Sequence, residues 1–70
     1  MIEVLAVIES EHPRFTAGIV LHNDVVVEAA PIVGYMKRQH YTRDRVRAKC
    51  KEQGWKVSVV HEVRRRDSVA

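Results

Sequence analysis

The stretch Arg14-Phe15-Thr16-Ala17-Gly18-Ile19-Val20-Leu21-His22-Asn23-Asp24-Val25-Val26-Val27-Glu28-Ala29-Ala30 decides the fold. Its two halves, residues 14–21 and 25–30, are rich in β-branched and apolar residues and read as strands. His22-Asn23-Asp24 between them reads as a hairpin turn, since Asn and Asp tolerate the left-handed conformation. Loop length then decides which side chains share a face. A two-residue Asn23-Asp24 loop pairs Leu21 with Val26 and puts Glu28 on the face of Ile19. A three-residue loop pairs Leu21 with Val25. It gathers Phe15, Ala17, Ile19, Leu21, Val25, Val27 and Ala29 on one apolar face, with Thr16, Gly18, Val20, Val26 and Glu28 on the other. A slip of one residue turns a whole strand over. The three-residue loop is therefore the expected register, with Asp24 left-handed.

Upstream, residues 2–10 alternate as another strand, with Ile2, Val4, Ala6 and Ile8 on one face and Glu3, Leu5, Val7 and Glu9 on the other. The apolar middle of the second face predicts a central strand covered on both faces. Glu11-His12-Pro13 is a connection, because Pro cannot donate in a ladder. Downstream, Pro31 suits a first helical turn and Gly34 weakens a longer helix there, so residues 31–38 read as one or two turns. Residues 43–53 are the best-signalled element. Thr42 is an N-cap, Tyr41 and Val46 have the spacing of a hydrophobic staple, Asp44 favours the helix dipole and Gly54 stands just past the end. Residues 55–63 alternate again, Trp55, Val57, Val59, His61 and Val63 against Lys56, Ser58, Val60 and Glu62.

The order is β-β-β-short α-α-β. A right-handed crossover lays the last strand beside the first. The expected class is α+β, a four-stranded, mainly antiparallel sheet of order 3-2-1-4 with one main helix on one face. Residues 1–63 make a single domain and residues 64–70 a mobile basic tail.

Seventy residues bury a modest core. Acids interrupt the N-terminal apolar residues and no run is long enough to span a bilayer, so neither a signal peptide nor a membrane helix is expected. The single cysteine, Cys50, excludes an internal disulfide framework and fits a reducing cytoplasm. The net charge of +3 hides a division. Residues 1–36 carry five acids against one base, a net of −4; residues 37–70 carry eleven bases against four acids, a net of +7.

That division points to a polyanion or an acidic protein face. Residues four apart share a helix face. Arg43, Arg47 and Lys51 form one basic row, Arg45 and Lys49 another, and Lys37, Arg38, His40 and Tyr41 extend the patch upstream. Like charges at this spacing repel by a few tenths of a kcal/mol, which suggests that the rows serve binding. The expected contacts are phosphates, with the Tyr41 ring available to stack on a base. Without Asn or Gln apart from Gln53, the helix is not equipped for base-specific readout. The competing reading of such rows is a solvated face that aids solubility. Arg64-Arg65-Arg66 reads as a solvated end rather than a phosphate-reaching arm.

Ile32, Val33, Tyr35 and Met36 form an apolar cluster, read first as core closure and otherwise as a partner or homodimer patch. Four histidines and Cys50 show no zinc spacing, and His61 reads as a buried neutral histidine, so no metal is expected. Gly18, Gly34 and Gly54 are isolated and build no phosphate loop. Ser10, Ser58 and Ser68 lack a nucleophile-elbow context. Glu9 and Glu11 read as solvated strand-end carboxylates. The expectation is a non-enzymatic module without a cofactor.

Ala17-Gly18-Ile19-Val20-Leu21, then Val25-Val26-Val27-Glu28-Ala29-Ala30-Pro31-Ile32, then Gly54-Trp55-Lys56-Val57 resemble short uncharacterised proteins encoded by phages and prophages. The likeness covers roughly residues 15–60 by eye and rests on hairpin, Pro and Gly-Trp positions rather than a catalytic motif. It implies a small binding protein that engages phage or host nucleic acid, or a host protein.

Overall fold

β1 (Ile2–Glu11), β2 (Arg14–His22) and β3 (Val25–Ala29) form an antiparallel meander, and β4 (Lys56–Arg64) returns antiparallel along the other side of β1. The sheet order is β3-β2-β1-β4, as the sequence predicts. These relations come from a computed structural model, which describes residues 2–64. After β3 the chain makes a 3₁₀ turn at Pro31–Val33, a short helix α1 (Gly34–Arg38) and the main helix α2 (Arg43–Gln53). Arg64 belongs to β4 rather than to a tail; the rest of the expected tail, residues 65–70, lies outside the described residues.

The helices pack on one face of the sheet. Val4, Ala6, Ile8, Ala17, Ile19, Leu21 and Val26 point toward them and bury against Val33, Met36, Tyr41, Val46 and Cys50. Phe15 and Trp55 close the far end of this layer edge to face, with centroids 5.2 Å apart. Such aromatic pairs stabilise beyond their buried area.

Two β-bulges correct the sequence reading. The β2–β3 loop has two residues, not three: Leu21 stands opposite Val26, and both Asn23 (φ 51°) and Asp24 (φ 67°) are left-handed. The register then shifts between Val20 and Leu21, so that Val20 faces Glu28 and Ile19 faces Ala29. Val26 and Ala29, three residues apart, thereby reach the core face. The expected group of Val25, Val27 and Ala29 does not form, while Glu28 still shares a face with Val20. In β4 the register shifts opposite Leu5 and Ala6. Val57 and Val59 lie on the helix side, but His61 and Val63 cross to the other side, opposite Leu5 and Glu3. His61 is therefore exposed, not a buried histidine. Among the described residues nothing covers the second face of β1 as expected, since Leu5 is 39% exposed.

The two sheet edges differ. The Tyr41–Arg43 segment lies along β3: the Val26 amide donates to the Tyr41 carbonyl (2.9 Å) and the Arg43 amide to the Asp24 carbonyl (2.8 Å). β4 has only β1 as a partner among the described residues. No helix among these residues is long and apolar enough to cross a membrane.

Candidate nucleic-acid interface

α2 starts and stops where its sequence says. The Thr42 hydroxyl oxygen accepts a hydrogen bond from the Arg45 amide at 3.3 Å, satisfying one of the unpaired donors of the first turn. Gly54 takes the left-handed conformation (φ 74°) and its amide turns back to the carbonyls of Cys50 and Lys51. The Trp55 amide also donates to the Cys50 carbonyl, at 2.7 Å, fixing the exit into β4. Tyr41 and Val46, the expected staple, are both buried.

Only Val46 and Cys50 of α2 are buried, which makes a stripe barely one residue wide. At 100° per residue the two basic rows fall on opposite flanks of that stripe. Arg43, Arg47 and Lys51 run along the β4 side. Arg45 and Lys49 run along the side of the tyrosines. The sequence places five cations on one helix; the fold divides them into two edges of an outward surface.

Each edge has its own chemistry. On the tyrosine side, the Arg45 guanidinium lies 4.4 Å from the Tyr41 ring centroid and the Lys49 ammonium 5.9 Å from that of Tyr35. The two rings meet edge to face at 5.7 Å. The cations keep their charge, and the rings restrict where it sits. Tyr41 is only 6% exposed, so the expectation that it stacks on a base is corrected. Its ring is a core element roofed by Arg45. Burial raises the Tyr35 hydroxyl above its ordinary range, with smaller contributions from Tyr41 and Cys50.

On the β4 side, Arg43 and Arg47 border a recess of about 60 Å³ floored by Val4, Ala6, Val57 and Val59. That volume suits an aliphatic side chain rather than a small-molecule ligand. Arg43 lies 3.8 Å from the Asp24 carboxylate, and Lys37 lies 3.6 Å from that of Glu28. The acidic half of the chain thus neutralises the basic half at these two points. Among the described residues, Arg38, Arg45, Arg47, Lys49 and Lys51 have no carboxylate within 4.0 Å. Sequence spacing could not reveal the Lys37–Glu28 and Arg43–Asp24 contacts, because both join residues brought together by the chain's return over β3.

The apolar cluster resolves mostly into core. Val33 and Met36 are completely buried, Tyr35 is half-buried, and Ile32 is 53% exposed. The surface patch of four is reduced to Ile32 and one edge of Tyr35. Cys50 is buried, and burial raises its thiol above the ordinary range, which suppresses the thiolate needed for nucleophilic attack. A larger open cleft of about 860 Å³ lies beyond the helix C-terminus, among Glu9, Glu11, His12, Arg14, Gln53 and Lys56. It mixes both signs of charge and touches neither basic row. Among the described residues no group of three His, Cys, Asp or Glu side chains could hold a metal ion. Comparison with known proteins returns no matching family model, no matching curated protein and no matching solved structure.

Proposed function

We propose that this chain is a non-enzymatic binding module that holds the phosphate backbone of nucleic acid against the outward surface of α2. The observation that carries the reading is the survival of the helix cations in the folded state. Arg45, Arg47, Lys49 and Lys51 have no acidic partner within 4.0 Å among the described residues, although Asp44 and Glu52 stand on the same helix. Arg43 to Lys51 spans about 12 Å along the helix axis. Over that length duplex DNA carries roughly seven phosphate charges. Arg45 and Lys49 are steadied on tyrosine rings, so less side-chain freedom is lost when a phosphate is bound. Nothing on this surface presents an amide pair to a base edge, which fits backbone rather than sequence recognition.

The test is a fluorescence-polarisation titration of short duplex and single-stranded DNA and RNA at two salt concentrations. Four phosphate contacts imply a loss of roughly 100-fold in affinity between 50 and 200 mM salt. Replacing Arg47 and Lys51 together with Ala should lower the salt slope by about 1.8 while leaving the fold intact, since both side chains are exposed. Absence of binding to every probe at 50 mM salt sinks the reading. One observation favours a second: the recess beside Arg43 and Arg47 fits an apolar side chain of an acidic protein partner. Copurification of such a partner, with nucleic acid left unbound, is the result that would select it.

A further inference from the structure

We propose that the open face of the sheet, away from the helices, is where a second copy of this chain docks. The face has a built relief. Val20, Leu5 and His61 stand side by side across β2, β1 and β4, forming a ridge. Two residues along the strands, Gly18, Val7 and Ser58 form the next row, a trough. The rows are about 7 Å apart. A two-fold axis across the strands, midway between the rows, lays the ridge of each copy in the trough of the other. That is the self-complementarity an isologous interface requires.

Gly18 carries the argument. A glycine inside a strand weakens it and often marks a close approach of another group. Gly18 does not have the left-handed backbone that would demand glycine, and a Cβ built there meets no atom within 4 Å. Nothing within the described chain explains the missing side chain. A ridge arriving from outside does.

Composition agrees. The centre of the face is apolar, with Leu5, Val7 and Val20. The same axis sets Glu3 of each copy over Glu9 of the other, and His22 beside Glu3 and Lys56 beside Glu9 supply the opposite charge at that margin. His22 Nε2 and Glu3 Oε2 already lie 2.7 Å apart. An apolar centre with a mixed polar rim suits self-association, whereas two copies meeting through the predominantly basic surface of α2 would repel. Strands of ten, nine, five and nine residues give a footprint of roughly 520 Å² per copy, the size of a weak, transient interface. The edge of β4 offers a poorer route: its bulge breaks the flat pairing that edge-to-edge association needs. The proposal does not depend on nucleic-acid binding. In combination, the two would put basic helices on opposite outer faces of a dimer, able to bridge two strands.

Sedimentation equilibrium across about 10–300 µM, a range bracketing micromolar dissociation constants, tests it. The wild-type mass should rise from 8.1 kDa toward twice that value. Leu5→Lys, at a position already 39% exposed, and Gly18→Val, which fills the trough, should each weaken association at least tenfold. Ile32→Lys, in the 3₁₀ turn between β3 and α1 and 53% exposed, should leave it unchanged. Far-UV circular dichroism checks each fold, and should Leu5→Lys unfold, Gly18→Val decides alone. Gly18→Val should also melt higher than wild type at concentrations too low for dimer, because valine suits a strand. A wild type that stays at 8.1 kDa overturns the proposal. So does a dimer that survives Gly18→Val, or one dissociated by Ile32→Lys.

Discussion

Arg45 roofs Tyr41: the guanidinium carbon sits 4.4 Å from the ring centroid of a tyrosine that is only 6% exposed. One residue thus serves the core, and the other lies between core and solvent. The ring anchors the start of α2 against the sheet. The Tyr41 carbonyl accepts the Val26 amide at 2.9 Å, and the Tyr41 amide donates to the Met36 carbonyl at 2.9 Å. Removing the ring should cost far more than removing its roof. Tyr41→Ala is expected to destabilise by about 3–5 kcal/mol, and Arg45→Ala by about 0.5–1 kcal/mol. Urea midpoints for both variants give the comparison. Equal losses would mean that the Arg45 contact, not burial, dominates.

Asn23 ties the β2–β3 turn to the start of β1. Its Oδ1 accepts from the Ile2 amide at 3.0 Å, and its own amide donates to the Ile2 carbonyl at 2.9 Å. Its φ of 51° also lies where alanine is strained. Asn23→Ala should therefore lower stability by about 1–2 kcal/mol. Asn23→Gly keeps the backbone freedom but loses the side-chain bond, and should fall between the two. Thermal melts of the three proteins rank them; alanine equal to wild type would refute the account.

Burial raises the Cys50 thiol above its ordinary range in the folded state. Below the unfolded thiol value, about pH 8.5, both states hold the proton and the full stability is present. As pH climbs from there through the higher folded value, the unfolded chain ionises first and stability declines. Tyr35 adds a decline of the same sign at higher pH, because its hydroxyl is raised too. Cys50→Ala should be less stable at neutral pH, since it opens a small void. It should also lose stability more slowly above about pH 8.5. Urea unfolding between neutral and alkaline pH measures both, and parallel pH curves would exclude Cys50 as the source.

The helix is legible in the sequence because its signals are local. Thr42, Val46 and Gly54 act on backbone groups within one turn, so spacing alone locates α2. Strand order is legible as well, from the central apolar character of β1 and the handedness of one crossover. Side-chain facing is not, because a β-bulge depends on two strands at once and leaves no fixed mark on either. At β3 two departures offset each other: a shorter loop followed by a bulge returns Glu28 to the expected side. At β4 no second departure intervenes, and simple alternation puts His61 on the wrong face. The basic rows are legible as a set of residues, but their division between two flanks depends on how narrowly α2 is buried. The neutralising contacts of Asp24 and Glu28 depend on tertiary return, which spacing does not encode.

Function and stability should pull in opposite directions at Arg47. It stands four residues from Arg43 and four from Lys51, so the helix holds two like-charge neighbours on one flank. Each repulsion costs a few tenths of a kcal/mol. Arg47→Glu converts both into attractive pairs against one new repulsion with Asp44, three residues earlier, and the side chain is exposed, so little packing is lost. The variant should be more stable than wild type by about 0.5–1 kcal/mol at low salt, with the gain shrinking as salt screens it. Affinity for duplex or single-stranded DNA should instead fall at least tenfold, because a phosphate contact is lost and a like charge introduced. Melting curves and polarisation titrations on one preparation, at 50 and 200 mM salt, read both quantities. A solvated helix face with no binding role predicts the stability gain without any change in nucleic-acid affinity, so the divergence of the two measurements separates a retained binding surface from an ordinary basic exterior.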